Sequence, residues 1–338
     1  MSSAILTPIP LSAVAGFGVG HWTHEGGGTG CTAIVCEAGA TGGVDVRGGA
    51  PATRETDLLR PEETVEAVHA VMLSGGSAFG LEAASGAARE LERRGIGLPV
   101  GPVRVPIVAG ACLFDLLFGD ASARPDLAAG AAAVTDALDG AHAGAEGTVG
   151  AGCGATVGKL LGPGRLMKGG LGARAFALGA LQVGAVAAVN ACGGVVDPET
   201  GEIVAGLLTE DGSGMLDMEE AMLASGAQMA LPLGQERANT TISCVITNAR
   251  LTKAQATKVA QMAADAYAHT IRPTHTTNDG DAVFVLASGE IDVTAPEIPL
   301  DLLGLIATRA LEAAIVAGAR EAHGGHGVPA ARDLAGRA

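Results

Sequence analysis

Short, densely apolar runs alternate along the chain with segments broken by glycine, and the spacing of the apolar positions predicts a mixture of strands and helices. TAIVCEA, Thr32 to Ala38, follows a Gly-rich segment and reads as a short buried strand. From Pro61 to Leu73, Val65, Val68 and Met72 fall at helical spacing and predict a helix. A second helix is predicted from Leu81 to Arg94, ended by the charged ELERR sequence and stopped near Gly95. Leu171 to Val189 is the most membrane-like stretch. It contains Arg174, Gln182 and several glycines, and so predicts a buried strand or core helix rather than a bilayer span, with Val183 to Val189 strand-like throughout. Leu207 to Gly234 carries Glu210, Asp211, Asp217, Glu219 and Glu220 without clear alternation, and reads as a helix plus an exposed connector that continues into QERAN.

The pattern sharpens after Asn239. Thr241 to Thr247 alternates into a buried strand, and Thr252 with Gln255 three residues on forms a capping-box sequence. The helix it starts is predicted to run through Val259, Met262 and Ala266 to about His269. Ala282 to Ala287 is another apolar strand, and Leu302 to Ala322 a long terminal helix. No internal repeat stands out. The order predicts one α+β domain of layered sheets covered by helices.

Composition adds how such a core is built. Of 338 residues, 52 are Gly and only 2% are aromatic, so the interior must be Ala, Val, Leu and Ile with backbones in close approach. A formal net charge of −15 disfavours nucleic acid and anionic membranes as partners. The opening MSSAILTPIPLSAV lacks the positive start and long apolar core of a signal peptide, and a cytoplasmic protein is expected. Cys31, Cys36, Cys112, Cys153, Cys192 and Cys244 form no C-x-x-C pair and are expected as buried thiols. The histidines show no metal-ligand spacing; HGGHG, from His323, reads as a mobile tail that binds metal only adventitiously. No metal or other cofactor is expected.

Several segments offer chemistry. ANTTIS, Ala238 to Ser243, puts Thr240 where a polar connector ends and a core strand begins. A Thr there is ordinarily just a β-branched residue suited to a strand. If the Asn239–Thr240 bond is cut, however, Thr240 gains an α-amine beside its own hydroxyl. With an unperturbed pKa of about 7.7–8.0, that amine is partly neutral near physiological pH and can take the hydroxyl proton during attack on a carbonyl. In HTTNDGDAVFVL, Asp279 and Asp281 flank Gly280 just before a strand. Spacing alone favours a plain turn, and the full calcium-loop pattern is not met. If the two strands are neighbours, the same carboxylates can orient Thr240 and its ammonium. GTVGAGCGATVGK, Gly147 to Lys159, fails as a phosphate loop, because Cys153 stands where the first Gly belongs and Leu160 where Ser or Thr belongs. Lys159 and Lys168 are each readable as solvated surface charges. Asn190 ends an apolar strand, where its amide either caps a turn or donates to something useful. Ser77 in GGSAFG lacks the G-x-S-x-G elbow and a matching acid and His.

Taken together, VDVRGGAPATRETDLL, LSGGSAFGLEAASG, GTVGAGCGATVGK, AVAAVNACGGVVDPETG, NTTISCVITNARLT and HTTNDGDAVFVLASGE resemble the L-aminopeptidase/D-esterase and β-peptidyl aminopeptidase family of N-terminal-nucleophile hydrolases. The resemblance covers nearly the whole chain. A threonine followed by D-G-D is similar to the branch of 6-aminohexanoate-oligomer (nylon-oligomer) hydrolases. It implies a layered αββα-type fold and self-cleavage into fragments 1–239 and 240–338 that stay associated. It makes Thr240 the nucleophile, with Asp279 and Asp281 orienting it, Lys159 supporting the site and Asn190 helping to hold the oxyanion. It further implies a small peptide or amide substrate and a homotetramer. Phe114, in ACLFDLLF, departs from the Tyr of the nylon-oligomer enzymes, so a phenol hydrogen bond to substrate is lost there. Two rival readings remain: acyl transfer, as in the ornithine acetyltransferases that share the threonine-splitting design, and an uncut, non-catalytic binding protein.

Overall fold

A computed structural model describes residues 5–140, 142, 144–227, 239–291 and 299–335. Its main elements are β1 (Gly18–His24), β2 (Thr29–Val46), β3 (Val68–Ser74), α1 (Glu82–Arg93), β4 (Val108–Cys112), α2 (Leu127–Asp139), β5 (Gly170–Leu178) and β6 (Leu181–Asn190). They continue with α3 (Met218–Ala227), β7 (Thr240–Ala249), α4 (Lys253–Ala263), α5 (Asp265–Thr270), β8 (Ala282–Ile291) and α6 (Leu300–Glu321). The first sheet runs in the order β5-β6-β7-β8-β2, with β7 and β8 parallel and the other pairs antiparallel. The 18-residue strand β2 shifts register between Val35 and Ala40 and leaves this sheet for a second one, ordered β1-β2-β3-β4.

Side-chain alternation along these strands builds the layers. Val183, Ala185, Ala187 and Val189 of β6 and Val245 of β7 face a core shared with α4, α5 and α6. The intervening Val186, Ala188, Ile242, Cys244 and Ile246 face Ile34, Val71 and Leu73 of the second sheet. That sheet's other face, through Ala33, Val35, Ala70 and Met72, packs on α1 and α2. Helices, sheet, sheet and helices form an αββα sandwich, as the sequence implied. Glycine permits the close stacking. A Cβ on Gly172 of β5 would lie 1.9 Å from the Ala314 carbonyl of α6, and one on Gly130 of α2 would lie 1.8 Å from the Ala83 carbonyl of α1.

The strands at 32–38, 183–189, 241–247 and 282–287 are all present, each longer than the pattern defined it. The capping box is formed, with the Thr252 hydroxyl and the Gln255 side chain each bonding the other's backbone N–H. The helix after it ends at Ala263, and a second short helix continues from Asp265, where one helix was expected to His269.

Three expectations are corrected. Residues 68–74 form β3 rather than a helix, and residues 61–67 form turns and irregular backbone. All seven residues of β3 are buried, because one face meets the first sheet and the other the helices; the alternation that marks a strand is thereby lost. The HGGHG segment is docked rather than mobile. His326 packs edge-on against Phe118 with ring centroids 4.9 Å apart, and His323 and Thr148 exchange hydrogen bonds. Lys168 is fully buried and Lys159 half-buried, so neither is a solvated charge. The 207–234 region begins with paired short strands, Leu207–Leu208 and Met215–Leu216, followed by α3; its expected connector at 228–238 lies outside the described residues. All six cysteines are free thiols, five of them buried.

Candidate active site

Thr240 is the first residue of β7, a strand with all ten residues buried and a neighbour on each side. It shares the parity of Ile242, Cys244 and Ile246, which directs its side chain toward the space between the sheets. On one side the register places Asn190, the last residue of β6, opposite Thr240. On the other, Ile242 is level with Ala282, so the D-G-D segment just before β8 arrives beside the start of β7. The strands are therefore neighbours, the condition set above for the two carboxylates to reach Thr240.

Several groups around the Asn239–Thr240 bond have defined partners. The Thr240 hydroxyl lies against the carbonyl oxygen of Asn239, and the same oxygen accepts a 3.2 Å bond from the Gly280 N–H. Asp281 accepts a 2.7 Å bond from the Thr241 N–H and a 2.9 Å bond from His275 Nδ1. Asp279 accepts from the Thr276 N–H at 2.7 Å. Burial first, and the neighbouring Asp281 charge second, push the Asp279 carboxyl above its ordinary value. Backbone bonds clamp this corner from the VRGGAP segment: Arg47 and Gly48 donate to the Asp281 carbonyl and Ala50 donates to that of Asp279. A Cβ on Gly48 would sit 2.3 Å from the Asp281 nitrogen, so a backbone without side chain is required there.

Asn190 links Thr240 to a cleft. Its Oδ1 accepts from Lys159 Nζ at 2.8 Å and from the Thr156 N–H at 3.0 Å, while its Nδ2 donates to the Phe114 carbonyl at 2.9 Å. Lys159 also donates to the Asn190 carbonyl at 3.0 Å, and burial lowers its ammonium to about 7. Thr156 and Lys159 line a cleft of about 180 Å³ whose other walls include Phe114, Leu117, Phe118 and His326. The structure thus gathers Thr240, Asn239, Asp279, Asp281, Lys159 and Asn190 around one bond, with the Phe114 ring in the adjoining cleft. Among the described residues no three His, Cys, Asp or Glu side chains cluster as a metal site would require.

Sequence reasoning assigned nothing to His275 or Tyr267. His275 has a positive φ of 53° and stacks on Tyr267, ring centroids 5.5 Å apart. The buried Tyr267 hydroxyl lies 3.1 Å from the Thr241 carbonyl and 3.2 Å from that of Ala282, tying β7 to β8 just beyond the site. Tyr267 is the chain's single tyrosine, a rarity that could have marked it.

The family model for peptidase family S58 matches residues 11–331. The chain belongs to peptidase family S58. S58 members are amide-bond hydrolases, and so is this protein. An uncharacterised aminopeptidase of Mycobacterium leprae is 41% identical, over 86% of this chain and 82% of its own length. A 6-aminohexanoate-oligomer endohydrolase of a Kocuria species is 30% identical, over 90% of this chain and 84% of its own. Two solved structures share the fold: the Burkholderia β-aminopeptidase (TM-score 0.62, 22% identity, 98% of this chain and 94% of that one) and the L-aminopeptidase D-Ala-esterase/amidase of Ochrobactrum anthropi (TM-score 0.63, 19% identity, 95% and 90%). The second is described as a variant of the Ntn hydrolase fold, which places the αββα sandwich of this S58 protein in that class.

Proposed function

We propose that this S58 hydrolase cuts itself between Asn239 and Thr240 and then uses Thr240 as an N-terminal nucleophile on amide bonds. The observation that carries the reading is the Thr240 hydroxyl against a carbonyl whose oxygen is held by the Gly280 N–H, at the strand mouth where Asp279 and Asp281 meet. In maturation, Thr240 Oγ adds to the Asn239 carbonyl carbon and the negative charge develops on the oxygen facing Gly280. The C–N bond breaks, the Thr240 nitrogen takes up a proton, and water hydrolyses the resulting ester to the Asn239 carboxylate and a free Thr240. In turnover the new amine accepts the Oγ proton as Oγ attacks the substrate amide. The leaving amine departs protonated, and water releases the acyl group as the acid. Asp281, one residue from the amine through the Thr241 N–H, and Asp279 beside it supply the negative charge that holds the ammonium form in place.

Its substrates in this reading are small peptides or ω-amino-acid oligomers of the 6-aminohexanoate type. The Kocuria relative's activity supports this, as does a cleft walled by Phe114, Leu117 and Phe118, which suits an unbranched methylene chain. Phe114 offers no phenol, so binding on that wall is by apolar contact.

Intact-mass measurement of the purified protein tests the first stage, with fragments 1–239 and 240–338 expected. A catalytically active preparation consisting wholly of continuous chain would refute it. The oxyanion role given to Asn190 has its own test: Asn190→Ala should lower kcat by roughly 10²–10³-fold, as loss of one oxyanion donor does. Unaltered turnover would remove Asn190 from the machinery.

A further inference from the structure

We infer that Lys168 is a positioning residue for the acyl-transfer site, acting through the single peptide unit that joins Ala155 to Thr156. The inference rests on the role proposed above for Asn190.

Lys168 closes the two-residue strand Met167–Lys168, paired antiparallel with Thr156–Val157 so that Lys168 lies opposite Thr156. The side chain has no exposed surface. Its ammonium donates to the carbonyls of Cys153 and Ala155, both at 2.7 Å, and sits 4.1 Å from the centre of the Phe118 ring. Burying a cation is costly unless it is paired and hydrogen-bonded; the Asp115 carboxylate favours the charge and the two carbonyls take its bonds. Here the second of those bonds reaches the site. The carbonyl of Ala155 and the N–H of Thr156 belong to one planar trans peptide and point in opposite directions. Lys168 holds the oxygen end, with help from the Gly169 N–H at 3.0 Å. The nitrogen end donates to Asn190 Oδ1 at 3.0 Å. Turning that peptide would break both contacts together.

Two consequences follow for Asn190. A charge-assisted bond on the oxygen polarises the peptide and strengthens donation by its N–H. With Oδ1 held by Thr156 and Lys159, the amide cannot flip without setting its NH2 against two donors, so its Nδ2 remains on the opposite side. Lys168 thereby selects the orientation in which Asn190 can serve as a donor. Burial is the main cause that brings each of the two lysines down to about 7, and the Lys168 charge is a small part of the lowering at Lys159.

The test is a double-mutant cycle in the full chain, with 6-aminohexanoate oligomer as substrate and kcat and KM measured separately. Lys168→Met should lower kcat by about 10-fold or more, in the range of losses for supporting-shell residues, with KM little changed. Combined with Asn190→Ala, it should add almost nothing, because both changes disable the same interaction. Lys168→Gln, which retains an N–H donor of shorter reach, should fall between wild type and Lys168→Met, and it decides the matter if the Met variant does not fold. Additive losses in the double variant, or wild-type kcat in either single lysine variant, would overturn the inference while leaving the Asn190 assignment standing. Wild-type kcat in Asn190→Ala would defeat that assignment and this inference together.

Discussion

Thr240→Ala should accumulate as one continuous 338-residue chain with no measurable amidase activity. Both effects come from one atom, since in the proposed mechanism Oγ is the attacking group in the cut and in every turnover that follows. Removing the nucleophile of a hydrolase costs on the order of 10⁶ in kcat. Loss of folding cannot be the explanation, because the change deletes one hydroxyl and one methyl at a 4%-exposed site in a strand that keeps its ladder bonds on both sides. Such truncations cost about 1 kcal/mol. Intact mass, circular dichroism and hydrolysis rate on the same preparation separate the possibilities. A folded Thr240→Ala variant that still splits after residue 239 would show the nucleophile to be another group.

Gly280→Ala should impair the same self-cleavage, though less completely, without touching a reactive group. A Cβ at residue 280 would lie 2.7 Å from Thr240 Oγ and 2.9 Å from the Ala50 carbonyl oxygen. Real carbon contacts at such distances are relieved only by movement, and the Ala50 side is backbone, pinned through its N–H to the Asp279 carbonyl. The hydroxyl is the softer neighbour and must rotate away from the Asn239 carbonyl. Misplacement of a reacting atom by about 1 Å costs roughly 10²-fold, so self-cleavage should slow by at least that factor. Overpacking of this kind costs about 1–3 kcal/mol in stability, which a folded domain can bear. Gly26→Ala, where an added Cβ meets nothing within 4 Å, is the matched control. Wild-type cleavage kinetics in Gly280→Ala would mean that the hydroxyl does not need its present position.

Where the sequence was readable, a local rule and the global fold agreed. The Thr252 capping box and the alternating strand from Thr241 to Thr247 needed no distant information. The failure at residues 61–73 has the opposite origin: β3 is covered on both faces, and periodicity cannot tell a doubly buried strand from a helix. The D-G-D segment is more instructive. Spacing favoured a plain turn, and a turn is present, with the Thr276 N–H bound to the Asp279 carboxylate. What spacing could not reveal is that this turn faces Thr241 across 40 residues of sequence, since that depends on the pairing of β7 with β8. The lysines were misjudged for the same reason. Average exposure assigns Lys to solvent, whereas the partners that keep Lys168 inside are carbonyls of a loop that only the sandwich brings to it.

The place of β7 in the middle of the first sheet also shapes what happens when the protein, cut as proposed, is heated or denatured. A break at its first residue leaves the shorter polypeptide, through its β7–β8 pair, woven between β6 and β2 of the longer one, so the pieces part only when the whole molecule opens. Recovery would then be a meeting of two separate strangers instead of the collapse of one tethered thread, slow in dilute solution and faster in concentrated.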